Sequence, residues 1–154
     1  MKRSIWITIL AIGHYVWAMG AVTNPTYQSH WRTHFAYNSV QLIAMDQEDM
    51  YAVANGKLFS INQMKKKVTL YNNFSGMHGT EIAQLAYDSV RQQLLLVYAD
   101  GKIDIWQNKN KMHYVSDLYS KQLSYSKHCN NITIHDSIAY LAMDFGILTF
   151  DLEK

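Results

Sequence analysis

The chain has 154 residues, 49% of them hydrophobic, with 14 lysines and arginines against 12 acidic residues and a formal net charge of +2. The charges are interspersed without a basic stripe, so the electrostatic footprint of a nucleic-acid binder is missing. A single cysteine, Cys129, excludes an intrachain disulfide framework. The 11 tyrosines, against one proline, favour an all-β chain with a packed core.

The first residues read as an export signal. Lys2 and Arg3 supply the positive start, and residues 5–17 form a mainly apolar stretch. That stretch is shorter than the roughly 20 apolar residues of an ordinary membrane-spanning helix, and His14 interrupts it. Ala18-Met19-Gly20 offers small residues where a signal peptidase cleaves, so residues 1–20 are assigned as the signal peptide. Residues 21–30 are a polar leader holding Pro25. Trp31, Phe35 and Tyr37 then share one face of an extended segment, a candidate strand for closing the last blade of a ring.

From here the chain repeats itself. Strands are predicted at 40–44, 50–54, 57–61 and 68–71, with turns at Asp46-Gln47-Glu48-Asp49 and Asn55-Gly56. The basic run Lys65-Lys66-Lys67 reads as a solvated connection. Residues 72–79 are expected to form a flexible loop between repeats. The second repeat has strands at 82–87, 94–98, 102–106 and 112–115, with a tight turn at Asp100-Gly101 that needs positive φ. A longer polar segment, 119–131, leads to the third, with strands at 132–134, 138–143 and 146–150. Gly56, Gly101 and Gly146 are evenly spaced (101 − 56 and 146 − 101 are both 45). A fixed period of this size with strand contents indicates β-propeller blades, so residues 31–154 read as a partial propeller of three blades. Propellers need four to eight blades to close. The expectation is therefore a piece of a longer ring, or a ring whose missing blades lie in another chain.

No catalytic signature is present: no phosphate-binding glycine loop, no Gly-x-Ser-x-Gly elbow, no Cys-x-x-Cys pair. A non-enzymatic protein without cofactor or metal is expected. His30 and His34 have metal-ligand spacing only on a helix, and the segment reads as a strand. His78, His113, His128 and His135 fall in loops or at strand edges, where structural roles are expected. Asp100, Asp104, Asp144 and Asp151 are assigned to turn formation rather than calcium. Cys129 reads as a buried structural thiol. Tyr71, Phe74, Tyr98, Trp106 and Tyr114 are either blade core or a saccharide-stacking surface, with core preferred. Asp88-Ser89-Val90 and Asp136-Ser137-Ile138 each match a short O-glycosylation acceptor pattern of low specificity. The structural turn residues singled out are Asn55, Gly56, Asp100, Gly101 and Gly146.

Four stretches together carry a family resemblance. They are Trp31 with His34-Phe35-Ala36-Tyr37, residues 51–60, residues 96–104, and Ala139-Tyr140-Leu141 with Phe145-Gly146-Ile147. In order and spacing they resemble the N-terminal propeller of PorZ-type proteins of the type IX secretion system. The resemblance implies an exported, non-enzymatic propeller acting in protein secretion and surface attachment, in the periplasm or at the outer-membrane cell surface. It implies the sortase of that system and anionic lipopolysaccharide as partners. It identifies no ligand-binding residues. The alternative reading is the periplasmic sensor propeller of a hybrid two-component regulator.

Overall fold

A computed structural model describes residues 38–153. The export signal, the leader, the Trp31–Tyr37 segment, His30 and His34 lie outside the described residues. The architecture is a partial β-propeller of three antiparallel sheets. The first blade runs β1 (Val40–Met45), β2 (Asp49–Ala54), β3 (Lys57–Asn62) and β4 (Val68–Leu70). The second runs β5 (Ile82–Asp88), β6 (Gln93–Tyr98), β7 (Ile103–Gln107) and β8 (Lys111–Val115). The third contains β9 (Cys129–His135), β10 (Ile138–Met143) and β11 (Gly146–Asp151). In each, consecutive strands are neighbours.

Period-two alternation decides which face each side chain takes. Tyr51 and Val53 turn towards the second blade and meet Leu94, Leu96 and Tyr98 of β6 in one core. Leu95 and Val97 point the other way and meet Cys129, Ala139, Leu141 and Met143 in a second core. Because β6 is covered on both faces, it is buried at every position, which explains its uninterrupted apolar run. The first strand of every blade opens with an irregular register, opposite Ala54, Tyr98 and Met143 respectively. This repeated bulge aligns the three blades more accurately than the glycine spacing does.

The three hairpins at the evenly spaced glycines use different turns. Ala54 pairs with Lys57, and Asn55 (φ 50°) and Gly56 (φ 71°) form a two-residue turn of the left-handed kind. The expected equivalent at Asp100-Gly101 is corrected. Gly101 donates its N–H to the Tyr98 carbonyl and Tyr98 donates to Lys102, so the loop holds Ala99, Asp100 and Gly101. Only Gly101 (φ 87°) takes positive φ there, as in a type I turn followed by a glycine bulge. In the third blade Asp144 and Phe145 make the turn, and Gly146 (φ 136°) is already the first residue of β11.

Two loops also depart from expectation. Residues 72–79, expected as a flexible loop, carry a capped turn and buried contacts. Asn72 caps a short 3-10 turn, Asn73–Ser75, by accepting the Phe74 N–H at 2.9 Å. Met77 is buried, His78 is bonded to Asp104, and Gly79 lies against the Tyr98 ring. The polar segment 119–131 is bracketed by α1 (Asp117–Ser120), which buries Leu118, and by β9, which begins at Cys129 rather than Ile132; residues 121–128 between them carry no helix or strand.

Gly79 has no room for a side chain, since an added Cβ would sit 2.2 Å from the Tyr98 ring. Gly79→Ala is expected to destabilise the chain by about 1–3 kcal/mol in urea unfolding. The Cys129 thiol is fully buried and donates to the Asn131 carbonyl at 3.4 Å, and burial pushes its pKa up to about 11. It is expected to stay unlabelled by a thiol reagent at neutral pH until denaturant is added, when it reacts fully.

Candidate functional site

In each blade the turn after the first strand lies beside the turn after the third, tied by one backbone hydrogen bond. Gln63 donates to Glu48 at 2.8 Å, Asn108 to Gln92 at 3.1 Å and Leu152 to Ser137 at 2.8 Å. The next residue in each case is Met64, Lys109 and Glu153, so these three occupy one structural position.

Lys109 reaches from the second blade to the first. Its Nζ lies 2.6 Å from Asp49 Oδ2, 3.1 Å from Asp46 Oδ2 and 3.6 Å from Glu48 Oε2. Asp46 is held by its own turn, accepting the backbone N–H groups of Glu48 at 2.7 Å and Asp49 at 2.5 Å. Burial works against the Asp46 charge. Those backbone bonds and Lys109 outweigh it and hold the carboxyl below its ordinary value. Burial also opposes the Lys109 charge, and its bonds to Asp49 and Asp46 raise its pKa regardless.

Behind this acid–lysine cluster stand aromatic rings. Tyr51 stacks on Tyr87 with centroids 6.3 Å apart, and Trp106 meets Tyr51 edge-on at 6.2 Å and Tyr71 edge-on at 4.8 Å. Burial, then the Asp46 charge, push the Tyr51 phenol upward, so it stays protonated and serves as a donor to Asp46 at 3.3 Å. Rings and turns enclose a half-open cleft of about 450 Å³, with Gln47, Gln92 and Asn108 at the rim. The cleft offers ring faces, amides and carboxylates to a polar ligand.

The aromatic residues singled out in the sequence do not form one surface. Trp106 lines the cleft and Tyr71 backs it. Tyr98 is buried, its hydroxyl donating to Asp104 Oδ2 at 2.7 Å. Phe74 is fully exposed at the tip of its 3-10 turn. Tyr114 stacks on His78 with centroids 4.4 Å apart. The assignment of Asp104 to turn formation is also corrected. It lies inside β7, fully buried, and accepts the His78 N–H at 2.9 Å and bonds His78 Nδ1 at 2.8 Å. Asp100 does form its turn, accepting the Lys102 N–H. Lys109 and Asp46 were not singled out. Only the acidic turn 46–49 marked the site, and its partner is 60 residues away.

The second junction repeats the clasp with the charges exchanged. Arg91, in the turn after β5, bonds Asp88 Oδ2 at 3.0 Å, the Asp136 carbonyl at 2.8 Å and the Glu153 carboxylate. Glu153 thus stands where Lys109 stands one blade earlier, facing a base instead of acids.

A family model described as the type IX secretion system PorZ N-terminal β-propeller domain matches residues 50–154. The chain belongs to the PorZ N-terminal β-propeller family. A solved PorZ structure overlays with a TM-score of 0.74 at 27% identity, covering 79% of this chain and 16% of that one. That protein is described as an essential bacterial surface component of the type IX secretion system of Porphyromonas gingivalis. The extracellular domain of a candidate one-component system from B. thetaiotaomicron overlays with a TM-score of 0.61 at 13% identity, again over 79% of this chain and 16% of that one. At that identity it shares the fold alone. No curated protein sequence matches. The chain spans about one sixth of the length of both solved relatives, and the PorZ family match rests on the second and third blades together with most of the first.

Because Asp46 titrates below its ordinary value of 3.8 when folded, its contribution is present above that pH and is lost as the pH falls towards the folded value. Asp46→Asn keeps the turn acceptor and removes the charge. The variant is expected to be about 1 kcal/mol less stable at neutral pH, and urea midpoints measured below pH 4 should converge with those of the parent chain.

Proposed function

We propose that this chain is an exported, non-enzymatic binding and scaffolding module of type IX secretion, acting in the periplasm or at the outer-membrane surface. The observation that carries this reading is the PorZ family match, joined by 27% identity to a surface component of that system. The sequence supports a binding role, since it holds no catalytic motif. The inter-blade cleft, with stacked rings beside fixed polar groups, is a further support. By the same family reading, its partners are the sortase of the system and anionic lipopolysaccharide. The acidic rim at Asp46 and Glu48 suits a neutral sugar or an amide better than an anionic group.

The test is replacement of the corresponding blades in the PorZ protein of a type IX-secreting bacterium by residues 38–153 of this chain. Restored release and surface attachment of cargo is the expected result. Loss of restoration with Trp106→Ala, at unchanged protein level, would assign the cleft a part in it. A correctly folded and exported chimera that restores nothing refutes the reading.

A further inference from the structure

Asp88-Ser89-Val90 and Asp136-Ser137-Ile138 share one pattern, an acid, a hydroxyl and an apolar residue, at the turn after the first strand of the second and third blades. Three residues alone select little, and the two turns use them differently. After β5 the turn holds four residues, since Asp88 still pairs with Gln93. Asp88 is buried, and its carboxylate accepts the Val90 N–H at 2.9 Å and the Arg91 N–H at 3.3 Å. Those bonds fix the turn from beneath, and Arg91 ties it to the Asp136 carbonyl of the third blade. Ser89 and Val90 are left on the outside. Ser89 is exposed, and among the described residues its hydroxyl has no hydrogen-bond partner. Val90 is 82% exposed and belongs to none of the buried clusters. The second blade packs against a blade on either side, so this exposure stands with both neighbours in place.

After β9 the same pattern is held on both sides. His135 pairs with Ile138, so Asp136 and Ser137 are the whole turn. The Ser137 carbonyl accepts the Leu152 N–H at 2.8 Å, and Ile138 is half-buried as the first residue of β10. Ser137 is half-buried itself. An enzyme that seats an acceptor hydroxyl together with its chain neighbours has room at Ser89 and little at Ser137.

We infer that Ser89 is an O-glycan acceptor and that Ser137 is not. In the transfer, Ser89 Oγ attacks the anomeric carbon of a glycan carried on a polyprenyl diphosphate. A glycosidic bond forms. The bond from the anomeric carbon to the diphosphate breaks, its electron pair leaves with the lipid diphosphate, and the hydroxyl proton passes to a base of the transferase. Ser89 lines the inter-blade cleft together with Tyr87, Gln92 and Trp106. The first sugar is therefore set beside aromatic rings and an amide, surroundings that favour a neutral pyranose. A bulky glycan is tolerated there because the turn faces solvent. The modification takes place where lipid-linked glycans are presented, so it rests on export of the chain.

The full chain, expressed in its own bacterium and recovered from the cell envelope, is digested with trypsin and weighed by mass spectrometry. Cleavage after Lys67 and Arg91 puts Ser89 in peptide 68–91, and cleavage after Lys127 puts Ser137 in peptide 128–154. The expected result is a glycan mass on peptide 68–91, localised to Ser89 by electron-transfer fragmentation, with peptide 128–154 at its bare mass. Ser89→Ala should remove the glycan and Ser89→Thr should keep it. Val90→Asp, at a position whose side chain packs into no core, should lose it as well. A chain lacking residues 1–20 should stay in the cytoplasm and carry none. An exported chain, cut after Gly20, whose Ser89 is bare overturns the acceptor assignment and leaves the export reading standing. So does a glycan found on Ser137, or one on Ser89 that survives Val90→Asp. Recovery of the uncut chain of 154 residues from the cytoplasm overturns the export reading, and the acceptor assignment with it.

Discussion

Everything in this molecule depends on covering both faces of a twisted sheet. A lone four-stranded blade with apolar residues on both sides has no stable form in water, because each face needs about the area of a neighbouring sheet to bury it. β6 shows the condition met: Leu94 and Leu96 are covered from one side, Leu95 and Val97 from the other. The sequence has no polar stripe there because no face of that strand meets water. The third blade shows the condition half met, with Ala139, Leu141 and Met143 buried and Tyr140 and Ala142 exposed between them. The alternation in β10 therefore reports its place at the end of the described array rather than an intrinsic difference in the strand.

Polar groups then fix what the apolar faces leave loose. Flat apolar contact between sheets is non-directional, and could slide by a residue without much change in area. Two devices prevent this. Buried Asp104 collects the Tyr98 hydroxyl and both the backbone and the ring of His78, so the connection between the first two blades is fastened to β7. At the opposite ends of the strands, Lys109 and Arg91 each bridge from one blade to the next. Of the two, the Asp104 network is the more costly to break, since removing a partner leaves a carboxylate buried without its bonds.

Much of the fold was legible in the sequence because its signals are local. Alternating or continuous apolar runs gave the strands, and the glycine spacing gave the period and through it the propeller. The turn geometry at Asp100 was less legible. An Asp-Gly pair serves both a two-residue turn and the last two positions of a three-residue one, and the choice depends on strand register. Asp104 was misread for a related reason: an acid near a hairpin looks like a turn residue until the loop that carries His78 folds over it. The clasp was hidden by distance, since nothing near Lys109 in the chain indicates that its partners are Asp46 and Asp49. Cys129, by contrast, was readable as buried from its place just ahead of the apolar strand Ile132-Thr133-Ile134.

The shared position held by Met64, Lys109 and Glu153 has a consequence for how such a chain finds its order. The backbone bond beneath it is the same in all three blades, so the residue above it is free to vary without disturbing the fold. That freedom makes it an address. A repeat protein whose blades are alike risks docking the wrong pair while it folds, and a lysine that meets acids at one junction and a glutamate that meets arginine at the next raise the energy of any shuffled arrangement. The second blade placed on itself would set Lys109 against Arg91. Like charges at that point would reject the pairing before the apolar faces could close, and the blades would be left with the sequence order as the one that satisfies both junctions.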